Sequence, residues 1–393
     1  MKRVCGPSPR VLLVLWSVSP QVACQGAPDT TGADTTGDAG ESSGSVITGE
    51  DTTQGASPFD GEPLPAGEPG EWLWVDFPEA RCRDGSPTGI GVRRGTTDKL
   101  AIVFEGGGAC FNALSCMINL ATYGAGDFDG WKDAGGRTGI FAADAPDNPV
   151  GAWHVVYIPY CTGDIHAGDR PDAQVPGLDG AQQFVGYRNV ERYLERIYPT
   201  FKDVQEVVVA GRGFGATFNY ARIADTFAGR VTLLEDSGPL MADMVLAPCL
   251  QEKVSELWNL PATLPADCPE CVPGTPGGSL VNLPVFFGAR YPSELHGLIS
   301  SEEDSIIRSF FGFGANDCAA ALPAMSGAEY KAGLYDLRDN YLKNSGTWGS
   351  FIQTGDAHTW IGVDAFYTAE VGGVRLVDWI ADLLAGAPSH VSP

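Results

Sequence analysis

The chain predicts an α/β fold: a mostly parallel sheet with helices on both faces. Three observations carry that expectation. Short apolar runs recur along the sequence, Lys99–Phe104, His154–Tyr160 and Glu206–Ala210 foremost, and such runs suit strands buried on both sides of a parallel sheet. Helix-period patterns alternate with them, as crossovers between parallel strands require. One run leads through Gly211-Arg212-Gly213-Phe214-Gly215-Ala216 into a helical pattern. That is the strand, sharp turn and helix of a nucleophile elbow.

Before the fold comes a leader, residues 1–24. Lys2, Arg3 and Arg10 precede the apolar run Val11–Val18, the build of an export signal and too short to span a bilayer. Cleavage near Ala23 leaves Cys24 at the mature N-terminus, as in a bacterial lipoprotein whose cysteine is lipidated. Gln21 stands where an aliphatic residue is usual, so simple secretion stays open beside lipidation. Residues 25–70 hold nine acidic residues, no Lys or Arg and almost no large apolar side chains. Such a stretch cannot offset its ordering entropy and is expected to be a disordered acidic linker. A tether and an idle tail are both compatible with it.

The net charge of −24 excludes nucleic acid and anionic membrane as expected partners. Membrane contact is expected only through a lipid anchor at Cys24. Beyond Cys5 and Cys24 the chain has Cys82, Cys110, Cys116, Cys161, Cys249, Cys268, Cys271 and Cys318. An even count in an exported chain predicts disulfides of unspecified pairing, with Cys110–Cys116 a plausible short loop. Cys268 and Cys271 lack the second ligand pair of a zinc site.

Residues 71–393 form the expected domain, ordered from near Trp72 to about Ala387. Its strands are the three runs above, then the shorter Val231–Leu234 and Pro284–Phe287. Phe184, Val190, Tyr193, Leu194 and Ile197 recur at helix spacing before Pro199, which should stop the helix. Thr217–Phe227 reads as the helix after the elbow. Met241–Val281, punctuated by cysteine and proline, reads as an insertion over one end of the sheet. Val374–Leu384 makes a C-terminal amphipathic helix.

Four segments carry chemistry. Glu105-Gly106-Gly107-Gly108 follows a strand, and consecutive glycines can turn backbone N–H groups toward one point, an oxyanion hole; a tight turn is the plainer reading. In the elbow, Gly213 occupies the nucleophile position of G-x-S-x-G. The same glycines, with Glu235 and Asp236 about twenty residues on, also invite a dinucleotide-binding reading, which leaves the other segments unexplained. Asp304 ends Ser300-Ser301-Glu302-Glu303-Asp304 and reads either as a triad's orienting acid or as a helix cap. His358, in Gly355-Asp356-Ala357-His358-Thr359-Trp360, reads as the base or as a solvated loop residue. The order elbow, acid, histidine is that of the α/β-hydrolases, and this shared order makes the hydrolase fold the leading reading.

The segments Glu105–Cys116, Tyr160–Asp169, the elbow, Asp236–Pro239 and Gly355–Trp360, with Cys82–Gly89, resemble the pectin acetylesterase family, which includes the Notum carboxylesterases. The likeness covers roughly Trp72 to Gly386. It implies carboxylic-ester hydrolysis by a Ser-His-Asp triad on an α/β-hydrolase fold. It further implies His358 as base, Asp304 as its orienting acid, and Gly107, Gly108 and the Phe214 N–H as oxyanion hole. Against the family's G-x-S-A-G-G this chain has Gly213 for the serine, and Phe214 and Ala216 for small neighbours. Asp164, His166 and Asp169 could be read as metal ligands, but a histidine among loop carboxylates is more often structural, and no metal or cofactor is expected.

The expectation is therefore an exported pseudo-hydrolase that binds an acylated small molecule, glycan or lipid. The alternative is an active carboxylesterase that uses water activated by His358, or a nucleophile not yet identified. The protein is placed outside the cytoplasm, secreted or lipid-anchored in a bacterial envelope.

Overall fold

A computed structural model describes residues 59–319 and 325–393; the leader, Cys24 and most of the acidic linker lie outside them. In chain order the strands are β1 (Trp72–Arg81), β2 (Pro87–Arg93), β3 (Lys99–Phe104), β4 (His154–Ile158), β5 (Arg170–Ala173), β6 (Gln182–Phe184), β7 (Glu206–Arg212), β8 (Arg230–Asp236), β9 (His296–Ser301), β10 (Trp348–Gln353), β11 (Glu370–Val371), β12 (Val374–Arg375) and β13 (His390–Val391). The α-helices are α1 (Ala113–Met117), α2 (Ala125–Lys132), α3 (Gly186–Phe201), α4 (Gly215–Ala224), α5 (Pro248–Trp258), α6 (Asn282–Arg290), α7 (Ser305–Phe311), α8 (Gly327–Asp336), α9 (Ala365–Thr368) and α10 (Leu376–Leu384).

Nine strands form one sheet in the order β1-β2-β4-β3-β7-β8-β9-β10-β13. The β1–β2 and β2–β4 pairs are antiparallel, and every pair from β4 to β13 is parallel. Alternation along the strands fills both faces. Leu100, Ile102, Phe104, Val207 and Val209 enter one core with α3 and α4, while Ala101, Val103, Val208 and Ala210 enter the other with α10. The fold is the expected α/β-hydrolase-like one. Four disulfides staple it, Cys82–Cys161, Cys110–Cys116, Cys249–Cys318 and Cys268–Cys271.

Some expectations need correction. Pro284–Phe287 is not a strand but part of α6. Leu283 and Phe287 are buried four residues apart while Val285 is exposed, and Pro284 is tolerated because it sits in the first turn. A four-residue apolar run cannot by itself distinguish the two; the neighbouring strand is β9. Pro199 does not end α3, which runs on to Phe201, since the lost hydrogen bond falls in the last turn. The strand before the elbow, read as the run Glu206–Ala210, extends to Arg212, and α4 spans Gly215–Ala224 rather than Thr217–Phe227. The stretch expected to be unstructured to residue 70 docks earlier. Leu64 is buried in the core and its N–H donates to Thr200 Oγ1 at 2.7 Å. The β1–β2 hairpin went unread, because its polar and glycine positions lack a continuous apolar run.

Candidate functional site

Five neighbouring strands deliver their C-terminal ends to one edge of the sheet, where ligands bind in open α/β folds. The glycine loop follows β3, the Gly213 turn follows β7, and Asp236 closes β8. Asp304 follows β9, and His358 lies on the loop after β10. Residues distant in sequence meet because β3, β7, β8, β9 and β10 are consecutive in the sheet.

The Gly213 turn keeps the geometry of an elbow. Gly213 has φ +100°, a region L-residues rarely adopt, and a Cβ built there meets nothing within 4 Å. Its N–H donates to Asp236 O at 2.7 Å. A Cβ on Gly215 would lie 2.7 Å from His166 Cδ2 and 3.1 Å from Phe104 Cβ, so this glycine lets α4 start tight against β3.

Asp304 makes the contacts that both of its sequence readings call for. Its Oδ1 accepts from Ile306 N at 3.0 Å and Ile307 N at 2.9 Å, capping α7, while Oδ2 lies 2.9 Å from His358 Nδ1. One buried carboxylate thus fixes a helix end and an imidazole together. A carboxylate can only accept, so Nδ1 carries the proton and Nε2 is the free ring nitrogen.

The glycine loop is held from behind. Tyr160 Oη donates to Gly108 O and accepts from Ile165 N, both at 2.7 Å, and His166 Nε2 lies 2.9 Å from Glu105 O. Burial pushes the His166 imidazole down to about 4, so it is neutral and donates this bond. A side chain at Gly107 would run into the Tyr160 ring, and Gly108 sits at φ +83°. Among the described residues the amides of Gly107, Gly108 and Phe214 donate to no protein acceptor.

Sequence reading gives Arg212 and Ser237 no role, and Asp236 one only in the dinucleotide reading. Arg212 Nη1 pairs with Glu105 Oε1; burial raises the Glu105 carboxyl and the facing guanidinium opposes that rise. Asp236 Oδ2 accepts from Trp360 N at 2.6 Å and Ile361 N at 2.9 Å, and Ser237 Oγ accepts from Thr359 N at 3.0 Å. This motif therefore anchors the His358 loop, and the sequence signal that points toward this part is its place in the family likeness. The hydroxyl of Thr217 is spent on Glu235 Oε2. The acids that a dinucleotide reading would aim at a ribose are thus engaged inside the protein.

Asp164, His166 and Asp169 do not gather as ligands. Asp164 accepts from Thr162 Oγ1, His166 N and Gly186 N, and Asp169 pairs with Arg188. No cluster able to hold a metal occurs among the described residues.

Gly107, Gly108, Gly213, Phe214 and His358 line one cavity with an apolar wall of Phe218, Leu246, Leu250, Val254, Trp258 and Phe311. Leu246, Leu250, Val254 and Trp258 come from the segment read as an insertion. The cavity suits a hydrophobic group whose polar end reaches the glycine loop and His358.

A pectinacetylesterase family model matches residues 75–270. The palmitoleoyl-protein carboxylesterase NOTUM of Drosophila melanogaster is 26% identical over 221 residues, 50% of this chain and 32% of its own length. An inactive palmitoleoyl-protein carboxylesterase, notum1b of Danio rerio, is 29% identical over 110 residues, 25% of this chain and 74% of that protein. The chain spans about a third of the length of the first of these curated relatives. Two solved structures of the Wnt deacylase Notum from Drosophila share the fold at 18% identity. Their TM-scores are 0.58 and 0.56, covering 81% and 79% of this chain and 95% and 91% of theirs. The family model falls on the segment holding both the glycine loop and the elbow, and with these relatives it places the chain in the pectin acetylesterase/Notum family.

Proposed function

We propose that this is an exported member of the family that has lost catalysis and keeps a pocket for an acyl group. The observation that carries the reading is the Gly213 turn. It holds the elbow's backbone conformation and opens into the cavity, yet it bears no reactive side chain. Asp304, His358 and the glycine loop stand in the arrangement of an orienting acid, a base and an oxyanion hole. Without a hydroxyl at 213, His358 has no group to activate and no acyl-enzyme can form. In a well-studied serine protease stripped of its triad, residual catalysis is only ~10³–10⁴ over water. The apolar wall favours an acyl chain as the bound moiety, carried by a small molecule, glycan or lipid. Relatives named as palmitoleoyl-protein carboxylesterases, one of them named inactive, agree with that class of ligand.

Room above Gly213 in a cavity shared with His358 favours one second reading, attack by water activated directly at Nε2. Hydrolysis of a short-chain p-nitrophenyl ester separates the two. The unmodified protein is expected to be indistinguishable from buffer. Turnover that disappears in His358→Ala would establish the water mechanism and end the pseudo-hydrolase reading. Gly213→Ser restores a hydroxyl, and Gly213→Ser/Phe214→Ala tests whether Phe214 crowds it.

Four disulfides support export to an oxidising compartment. For the proposed lipid anchor, Cys24→Ser should move the protein from the membrane to the soluble fraction; unchanged partitioning would end that proposal.

A further inference from the structure

We infer that the cavity takes a free carboxylic acid, tail in the apolar wall and carboxylate over Gly213, in preference to the corresponding ester. This rests on the pocket reading above and names its ligand. Three observations converge on the head-group position. The amides of Gly107, Gly108 and Phe214 have no protein acceptor among the described residues, and the residues that carry them line the cavity beside His358. The Cβ direction of Gly213 is open for 4 Å, so the volume that a serine would fill is free for a second oxygen. Of the nearby protein carboxylates, Asp304 is committed to two amides and His358 and Asp236 to two amides, while Glu105 holds Arg212 through Oε1 and leaves Oε2 without a hydrogen-bond partner among the described residues.

An ester and an acid use such a site differently. An ester offers one carbonyl oxygen to the amides, and its alkoxy group must pass through the space above Gly213. A carboxylate offers two oxygens, one toward the amides and one toward the space above Gly213. The acid brings its own proton, which passes from its O–H to His358 Nε2, the ring nitrogen left free to accept it, so the bound ligand is a carboxylate hydrogen-bonded by that N–H. Hydrogen bonds to an ionised acceptor are roughly twice as strong as neutral ones. Loss of the serine thus converts a site built for a transient oxyanion into one that holds a permanent carboxylate.

The test is isothermal titration calorimetry of the full chain with octanoate and with methyl octanoate. Octanoate is expected to bind at least about tenfold more tightly. His358→Ala should remove most of that preference while changing ester affinity less than about twofold, and Gly213→Ser should reduce it because the hydroxyl takes the place of one carboxylate oxygen. Thermal melts check that each variant is folded; if Gly213→Ser is not, His358→Ala carries the test alone. Equal or tighter binding of the ester, or a preference unchanged in a folded His358→Ala, overturns the carboxylate inference and leaves the pocket reading standing. Binding of neither probe overturns both. Hydrolysis of methyl octanoate by the unmodified protein overturns the loss of catalysis instead.

Discussion

The backbone at position 213 separates space from strain. A side chain there meets open cavity, but φ +100° is unfavourable for any L-residue, at a cost on the order of 1–3 kcal/mol. Gly213→Ser is therefore expected to lower unfolding stability in urea by about that much; unchanged stability would show that the turn relaxes. Glu235 gives a second residue-scale prediction. Burial raises its carboxyl well above 4.5, and Oε1 has no partner among the described residues. The folded state then binds this proton more tightly than the unfolded chain does. Its contribution is fully present below the unfolded value near 4.5 and is lost as pH rises toward the folded value. Glu235→Gln keeps an oxygen for Thr217 and should lose less stability than the unmodified protein as pH is raised from about 4.5 to neutrality. Parallel pH profiles of melting temperature would refute this.

Elements are fixed to one another by shared residues. His166 touches two of them: its ring donates to Glu105 O at the end of β3, and its Cδ2 limits what can stand at Gly215, where α4 begins. Gly215→Ala should push α4 off β3 and destabilise the protein by roughly 1–3 kcal/mol, the usual cost of overpacking, measurable by denaturant unfolding. Asp304 couples α7 to the His358 loop in the same way. The sequence could not choose between a helix cap and a partner of His358, because a single carboxylate with two oxygens makes both contacts.

Across the whole molecule, the sheet edge is joined to its centre by covalent as well as packed contacts. Cys82 follows β1 and Cys161 follows β4, 79 residues apart. The chain-entropy estimate for a loop of that length is about 4.5 kcal/mol. Replacing both by serine should lower stability by that order in a denaturant titration; a loss below about 1 kcal/mol would mean that the fold holds this edge without the bridge.

Periodicity and motif order were enough to read β3, β4, β7 and β8, the elbow and the succession Gly213, Asp304, His358, because burial imposes local patterns and because a turn with positive φ favours glycine. Pro284–Phe287 was misread for the same reason in reverse, since four apolar residues fit a strand and one face of a helix alike. What only the tertiary structure decided is the meeting of distant groups. The Glu105–Arg212 pair, the hold of Asp236 and Ser237 on the histidine loop, and the apolar wall from the segment before Val281 all depend on which strands lie side by side. Hydrogen bonds and cavities form between neighbours in space, and the sequence order of β3, β7, β8, β9 and β10 does not state that they are consecutive in the sheet.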